Sequence, residues 1–199
     1  MPRVWSASSP HTSRLLVSRE SLWLLPVPGD RSERARLNER RGQLVLSAYA
    51  IYAELLEERE FEWLVVPVLR TLAVSSSRCV LVLPETSASF DAGRVRAATQ
   101  YTRELGVLSM VEISGGWTPT QLELLAATLP AYLRLAPEML RGAGSVPDVF
   151  RSLVALGEFA RERGLELVAR NPHDDAELDA VRSAGIGLVQ WTTHSVLGA

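Results

Sequence analysis

The chain has 199 residues, of which 47% are hydrophobic and 22% charged, which argues against disorder except at the ends and leaves enough length to bury the core of one domain. Its formal net charge is -2, its pI is about 6.0, and all 21 basic residues are arginine. They are interspersed with acids, as in Arg31-Ser32-Glu33-Arg34 and Arg161-Glu162-Arg163, so the basic face of a nucleic-acid polymer binder is missing.

Cysteine usage and hydropathy narrow the class further. The single cysteine, Cys79, rules out an internal disulfide and a cysteine zinc cage, and its apolar run Cys79-Val80-Leu81-Val82-Leu83 reads as a buried strand. No apolar stretch is long enough for membrane insertion, and the start of the chain lacks a signal-peptide pattern. A cytoplasmic protein is expected.

Residues 1–12, rich in serine with Pro10 and Thr12, read as a flexible N-terminal tail ahead of one domain over 13–199. Leu15-Leu16-Val17 and Leu22 to Val27, separated by Ser18-Arg19-Glu20, have the spacing of an antiparallel hairpin. Pro28-Gly29-Asp30 is a turn, and Asp30 can cap a charged helix over 31–41. Thereafter strand-like runs alternate with helical periodicity. The strands are Leu44 to Leu46, Val80 to Leu83, Leu108 to Ile113, Tyr132 to Leu135, Leu165 to Ala169 and Gly187 to Gln190. The helices are 48–58, 61–73, 91–105, 119–128, 147–163 and 174–184.

Punctuation supports this alternation. Thr118-Pro119-Thr120-Gln121 is a capping box with proline at the first helical position. Gly106, Gly164 and Gly185 each stand where a helix must close on a left-handed residue before a strand. Repeated strand–helix units imply parallel strands joined by crossover helices. With the hairpin they amount to about eight strands, the number that closes a (βα)8 TIM-like barrel. A doubly wound sheet is the alternative, but no glycine-rich dinucleotide fingerprint follows the first strand.

From residue 43 onward, the order of landmarks resembles the EAL domain, the cyclic di-GMP phosphodiesterase family. Gln43 to Ala48 is similar to "L-x-V-N-L-S-A", and Leu81-Val82-Leu83-Pro84-Glu85-Thr86 to "L-E-I-T-E-S". Gly106 to Gly115 resembles "G-x-x-I-A-L-D-D-F-G", and Leu129-Pro130 through Ala136 resembles "L-P-x-D-x-L-K-I-D". Leu156 to His173 resembles the segment ending "V-V-A-E-G-V-E", and Gly185 with Gln190 resembles "G-x-x-x-x-Q-G". The resemblance covers about residues 43–191. It implies an EAL-type barrel in which the 14–27 hairpin replaces the first two strands and the first helical region is shortened to 31–41.

The resemblance also implies a chemistry that this chain lacks the residues to perform. Family members hydrolyse cyclic di-GMP with two divalent cations held by oxygen ligands at strand C-termini. Trp23 or Leu24 stands at the glutamate of Glu-Ala-Leu, Val45 at the strand asparagine, Val82 at the first glutamate of "E-x-T-E", and Glu112 and Ile113 at the paired aspartates. Arg134 replaces the lysine that positions or activates water, and a guanidinium does not give up its proton. Arg170 and His173 replace the two glutamates of "A-E-G-V-E". Only Glu85, Glu112 and Gln190 keep comparable polar character. The expectation is no catalysis, no metal and no cofactor.

Two uses of such a domain follow from the resemblance, with a residual cyclic di-GMP phosphodiesterase as a more distant third. One is a regulatory or protein-interaction domain in cyclic di-GMP-related signalling, acting on a protein partner or as a homodimer. The other is a sensor that binds cyclic di-GMP without metal, through Glu85, Glu112, Arg134, Arg170 and Gln190 at one barrel mouth. These charges can equally form an ion-pair cluster in place of the metals. Ser114-Gly115-Gly116-Trp117 stands where the family's dimerisation-associated loop begins, which makes Trp117 the interface candidate. His173-Asp174-Asp175 reads as a helix start after Asn171-Pro172 rather than as a metal site.

Overall fold

The computed structural model describes residues 15–26, 46–53, 67, 79–85 and 91–191. Seven strands lie among the described residues: β1 (Leu15–Pro26), β2 (Leu46–Ala53), β3 (Cys79–Glu85), β4 (Leu108–Ile113), β5 (Tyr132–Leu135), β6 (Glu166–Arg170) and β7 (Leu188–Gln190). Five helices accompany them: α1 (Ala92–Glu104), α2 (Pro119–Ala126), α3 (Pro137–Leu140), α4 (Pro147–Arg163) and α5 (Asp175–Ser183). No described helix is long and apolar enough to cross a membrane. The chain divides into two units, one of Met1–Leu22 with Ala48–Tyr132 and one of Trp23–Ser47 with Leu133–Ala199.

In the first unit, β2, β3 and β4 run parallel, with Ile51 opposite Leu81 and Val82 opposite Met110. Val80 to Leu83 are all buried, the near-continuous apolar run of a parallel strand covered on both faces. Helix α1 starts at Asp91, whose carboxylate accepts from the amides of Gly93 and Arg94, as an N-cap should. The buried Thr99 hydroxyl donates to the Thr128 carbonyl (2.8 Å), fastening α1 to the end of α2. At the start of α2 the expected capping box is present, with Pro119 in its first turn and Thr118 and Gln121 bonded reciprocally.

In the second unit, β6 and β7 are parallel, and the end of β1 joins β7 antiparallel, Leu24 opposite Gln190. Leu133, Leu135, Leu153, Val168, Val181 and Val189 form its core. Each removes a side chain worth roughly 1.5–3 kcal/mol from water. Helix α4 closes on Gly164 at φ 64, and α5 is followed by Gly185 at φ 76. With Gly106 at φ 71, all three glycines take the left-handed conformation expected of them. Contact between α4 and the end of α5 depends on Gly157, where an added Cβ would lie 1.9 Å from the Ala184 carbonyl oxygen.

Three sequence expectations are corrected. Residues 15–26 form one strand, so Ser18-Arg19-Glu20 makes no hairpin turn; the triplet has no glycine, proline, asparagine or aspartate to set one. The antiparallel contribution comes from β1 against β7 instead, with Leu24 opposite Gln190. Residues 48–53, read as the start of a helix, belong to β2, because pairing with β3 outweighs the helix preference of three alanines. The C-terminal end of β2 is Ala53, whereas Val45 lies outside the described residues. The tail over 1–12, the helix expected over 31–41 and, apart from residue 67, the helix expected over 61–73 also lie outside them. One further turn of helix, α3, was not expected from the sequence.

Candidate functional site at the strand ends of the second unit

The C-terminal ends of β5, β6 and β7 carry three of the five predicted ligand residues. Arg134 on β5 is 0% exposed, a large side chain wholly buried. Its Nη1 donates to Oε1 of Gln190, 3.2 Å away on β7. Gln190, itself buried, stands in register with Arg170, the last residue of β6. Arg170 is half-buried. The ladder continues one residue further, where the Asn171 amide donates to the Gln190 carbonyl (2.8 Å). Asn171 is held at φ 48, a left-handed conformation that asparagine tolerates better than most residues and that turns the chain at the strand end.

The loop beyond Asn171 is fixed by a residue that the sequence reading missed. Glu177 is 5% exposed, a buried carboxylate. Its Oε2 accepts from the His173 amide (2.7 Å) and its Oε1 from the Gly142 amide (3.2 Å). The Glu177 amide in turn donates to Oδ1 of Asp174, the N-cap of α5. A buried carboxylate needs charge-assisted hydrogen bonds, and here two backbone amides supply them. The spacing Asp174-x-x-Glu177 is the signal that could have found it, since an N-cap with glutamate three residues on is a capping pattern. His173 and Asp174 thus serve the start of α5, as expected.

Glu85 ends β3 and Glu112 is the penultimate residue of the adjacent β4, so the two are not register partners. Glu85 is opposite Ile113, and Glu112 is opposite Pro84, one step away. Glu112 is half-buried. Trp117, half-buried, follows Gly116 at φ 89 on the loop between β4 and α2. The interface candidate is therefore neither sealed into the core nor fully presented.

The donor set in the second unit does not suit a hard divalent cation. Such an ion takes six or more oxygens, most of them anionic. The ends of β5, β6 and β7 offer instead two guanidinium groups and one amide oxygen already accepting from Arg134. Among the described residues, no three His, Cys, Asp or Glu side chains gather as a metal site.

No family model and no curated protein matches the sequence. Solved structures share its fold. The PaMucR phosphodiesterase in complex with c-di-GMP superposes with a TM-score of 0.65 at 11% identity, covering 92% of this chain and 94% of that one. The EAL domain of Mycobacterium smegmatis DcpA gives 0.63 at 17% identity, covering 89% of this chain and 87% of that one. The Xanthomonas citri FimX EAL domain, solved with c-diGMP, gives 0.62 at 18%, covering 89% and 85%. The chain therefore has an EAL-like α/β fold with parallel strands.

Proposed function

We propose that residues 13–199 form a non-catalytic EAL-like domain, a closed TIM-like barrel in the cytoplasm that serves cyclic di-GMP-related signalling through contact with another protein. The observation that carries this reading is the buried Arg134–Gln190 pair. Arg134 occupies the position at which the resemblance expects a lysine, and a guanidinium remains protonated, so it cannot serve as a base toward water. Arg170 replaces a carboxylate ligand with a cation, which repels a divalent metal where the family attracts one. Without the ion, neither water activation nor stabilisation of the transferring phosphoryl group is available.

The partner is proposed to be a second copy of the chain or a heterologous protein, with Trp117 on its glycine-containing loop as a contact. Aromatic side chains concentrate interface energy because they bury large area at small entropic cost. Manganese titration followed by electron paramagnetic resonance tests the loss of metal chemistry. The account expects free-ion spectra throughout. Stoichiometric manganese binding that disappears in Glu112→Ala would overturn it.

A further inference from the structure

We infer that residues 141–146, between α3 and α4, form a strap clipped to the start of α5 by the Glu177 carboxylate, and that this clip makes the strap and the backbone after β6 open as one unit. The inference goes beyond the signalling reading and does not depend on it. The strap is a preformed turn. The Ala143 amide donates to the Leu140 carbonyl (3.0 Å), and the Ser145 and Val146 amides both donate to the Gly142 carbonyl (2.9 and 2.7 Å). Its hold on the rest of the unit is slight by comparison. Of residues 141–146 only Ala143 is buried, and Val146 is 45% exposed. Two contacts fasten the strap. The Gly142 amide donates to Oε1 of Glu177 (3.2 Å), and Gly144 lies so near α5 that an added Cβ would stand 2.5 Å from the Ala176 Cβ. A segment with so little buried apolar surface and one charge-assisted bond opens at a free energy well below that of global unfolding.

The second oxygen of the same carboxylate reaches the other way. Oε2 of Glu177 accepts from the His173 amide (2.7 Å), and His173 follows Asn171, whose own amide is bonded to the Gln190 carbonyl at the end of β7. When the strap lifts, Oε1 loses its donor and water reaches the carboxylate. A hydrated charge no longer depends on its remaining amide, so the His173 bond weakens in the same event. The two loops thus share one opening equilibrium, and a contact that draws the strap away also loosens the backbone after β6. The left-handed Gly142, at φ 78, lies near one end of the strap, and Pro147 in the first turn of α4 follows the other. Helix α5 keeps its start throughout, because Asp174 still caps it through the Glu177 amide.

Hydrogen exchange of the full chain, followed amide by amide by NMR, tests the coupling. In the wild type, Gly142 and His173 should show the same protection, insensitive to low urea because a local opening exposes little surface. Glu177→Gln should speed exchange at both amides by about tenfold or more beyond any change at Val168 and Val189, which lie in the β6–β7 ladder. Gly144→Ala, which pushes the strap from α5 without altering the carboxylate, should speed the same two amides together. Exchange at His173 that stays at its wild-type rate in Gly144→Ala, while Gly142 accelerates, overturns the inference by removing the coupling. Gly142 and His173 amides that track Val168 and Val189 in urea and in both variants overturn it as well, because the strap then opens only when the whole fold does.

Discussion

Glu177 shows how a single buried charge can fix the geometry around a candidate site. Its carboxylate joins the Gly142 amide of one loop to the His173 amide of another, three residues beyond Arg170. Hydrogen bonds to a charged group contribute about 1.5–3 kcal/mol each, and buried donors left without an acceptor cost a similar amount. Glu177→Ala is therefore expected to destabilise the fold by about 3 kcal/mol, and Glu177→Gln by less, read from urea unfolding midpoints. A smaller effect on exposed ground is expected at Thr118. Its hydroxyl caps α2 at the surface, so Thr118→Ala should cost about 1 kcal/mol. The residue-scale features written into local sequence were legible for this reason: Thr118, Asp174 and the three left-handed glycines each act within four residues of themselves. The Arg134–Gln190 bond spans 56 positions and has no local signature; only the fold brings the two together.

At the scale of elements, agreement follows the strength of the boundary chemistry. Helix α4 begins at Pro147 and ends before Gly164, as its punctuation dictates. Strand β2 was misread because alanines alternating with Tyr49, Ile51 and Tyr52 satisfy helical propensity while the aromatic and branched residues satisfy a strand, and the partner β3 decides. Helix α3 spans 4 residues, too short for periodicity to reveal, although Pro137 marks its first position. The α4–α5 contact provides an internal comparison between two glycines. Gly164→Ala meets open space but must keep φ 64, so a cost of about 1 kcal/mol is expected. Gly157→Ala collides with the Ala184 carbonyl and should cost several kcal/mol, about 3 or more, through displaced helices. Thermal unfolding of the two variants side by side checks the contrast.

For the molecule as a whole, fold and chemistry are set by different residues. The EAL-like fold stands on similarity to solved structures over most of the chain, at identities of 11% to 18%. Function rests on the particular residues at the strand ends, because one barrel fold can host many chemistries. A protein that acts by contact should associate, and Trp117→Ala should weaken self-association by about 2 kcal/mol if that ring is a hot spot, as measured by sedimentation equilibrium. A monomeric wild type at high concentration would exclude the homodimer and direct the search to a heterologous partner. The central claim, loss of hydrolysis, meets its most direct test in the purified chain incubated with cyclic di-GMP and either magnesium or manganese. The account predicts that the cyclic dinucleotide persists unchanged; metal-dependent formation of the linear dinucleotide, abolished by Glu112→Ala, would contradict it.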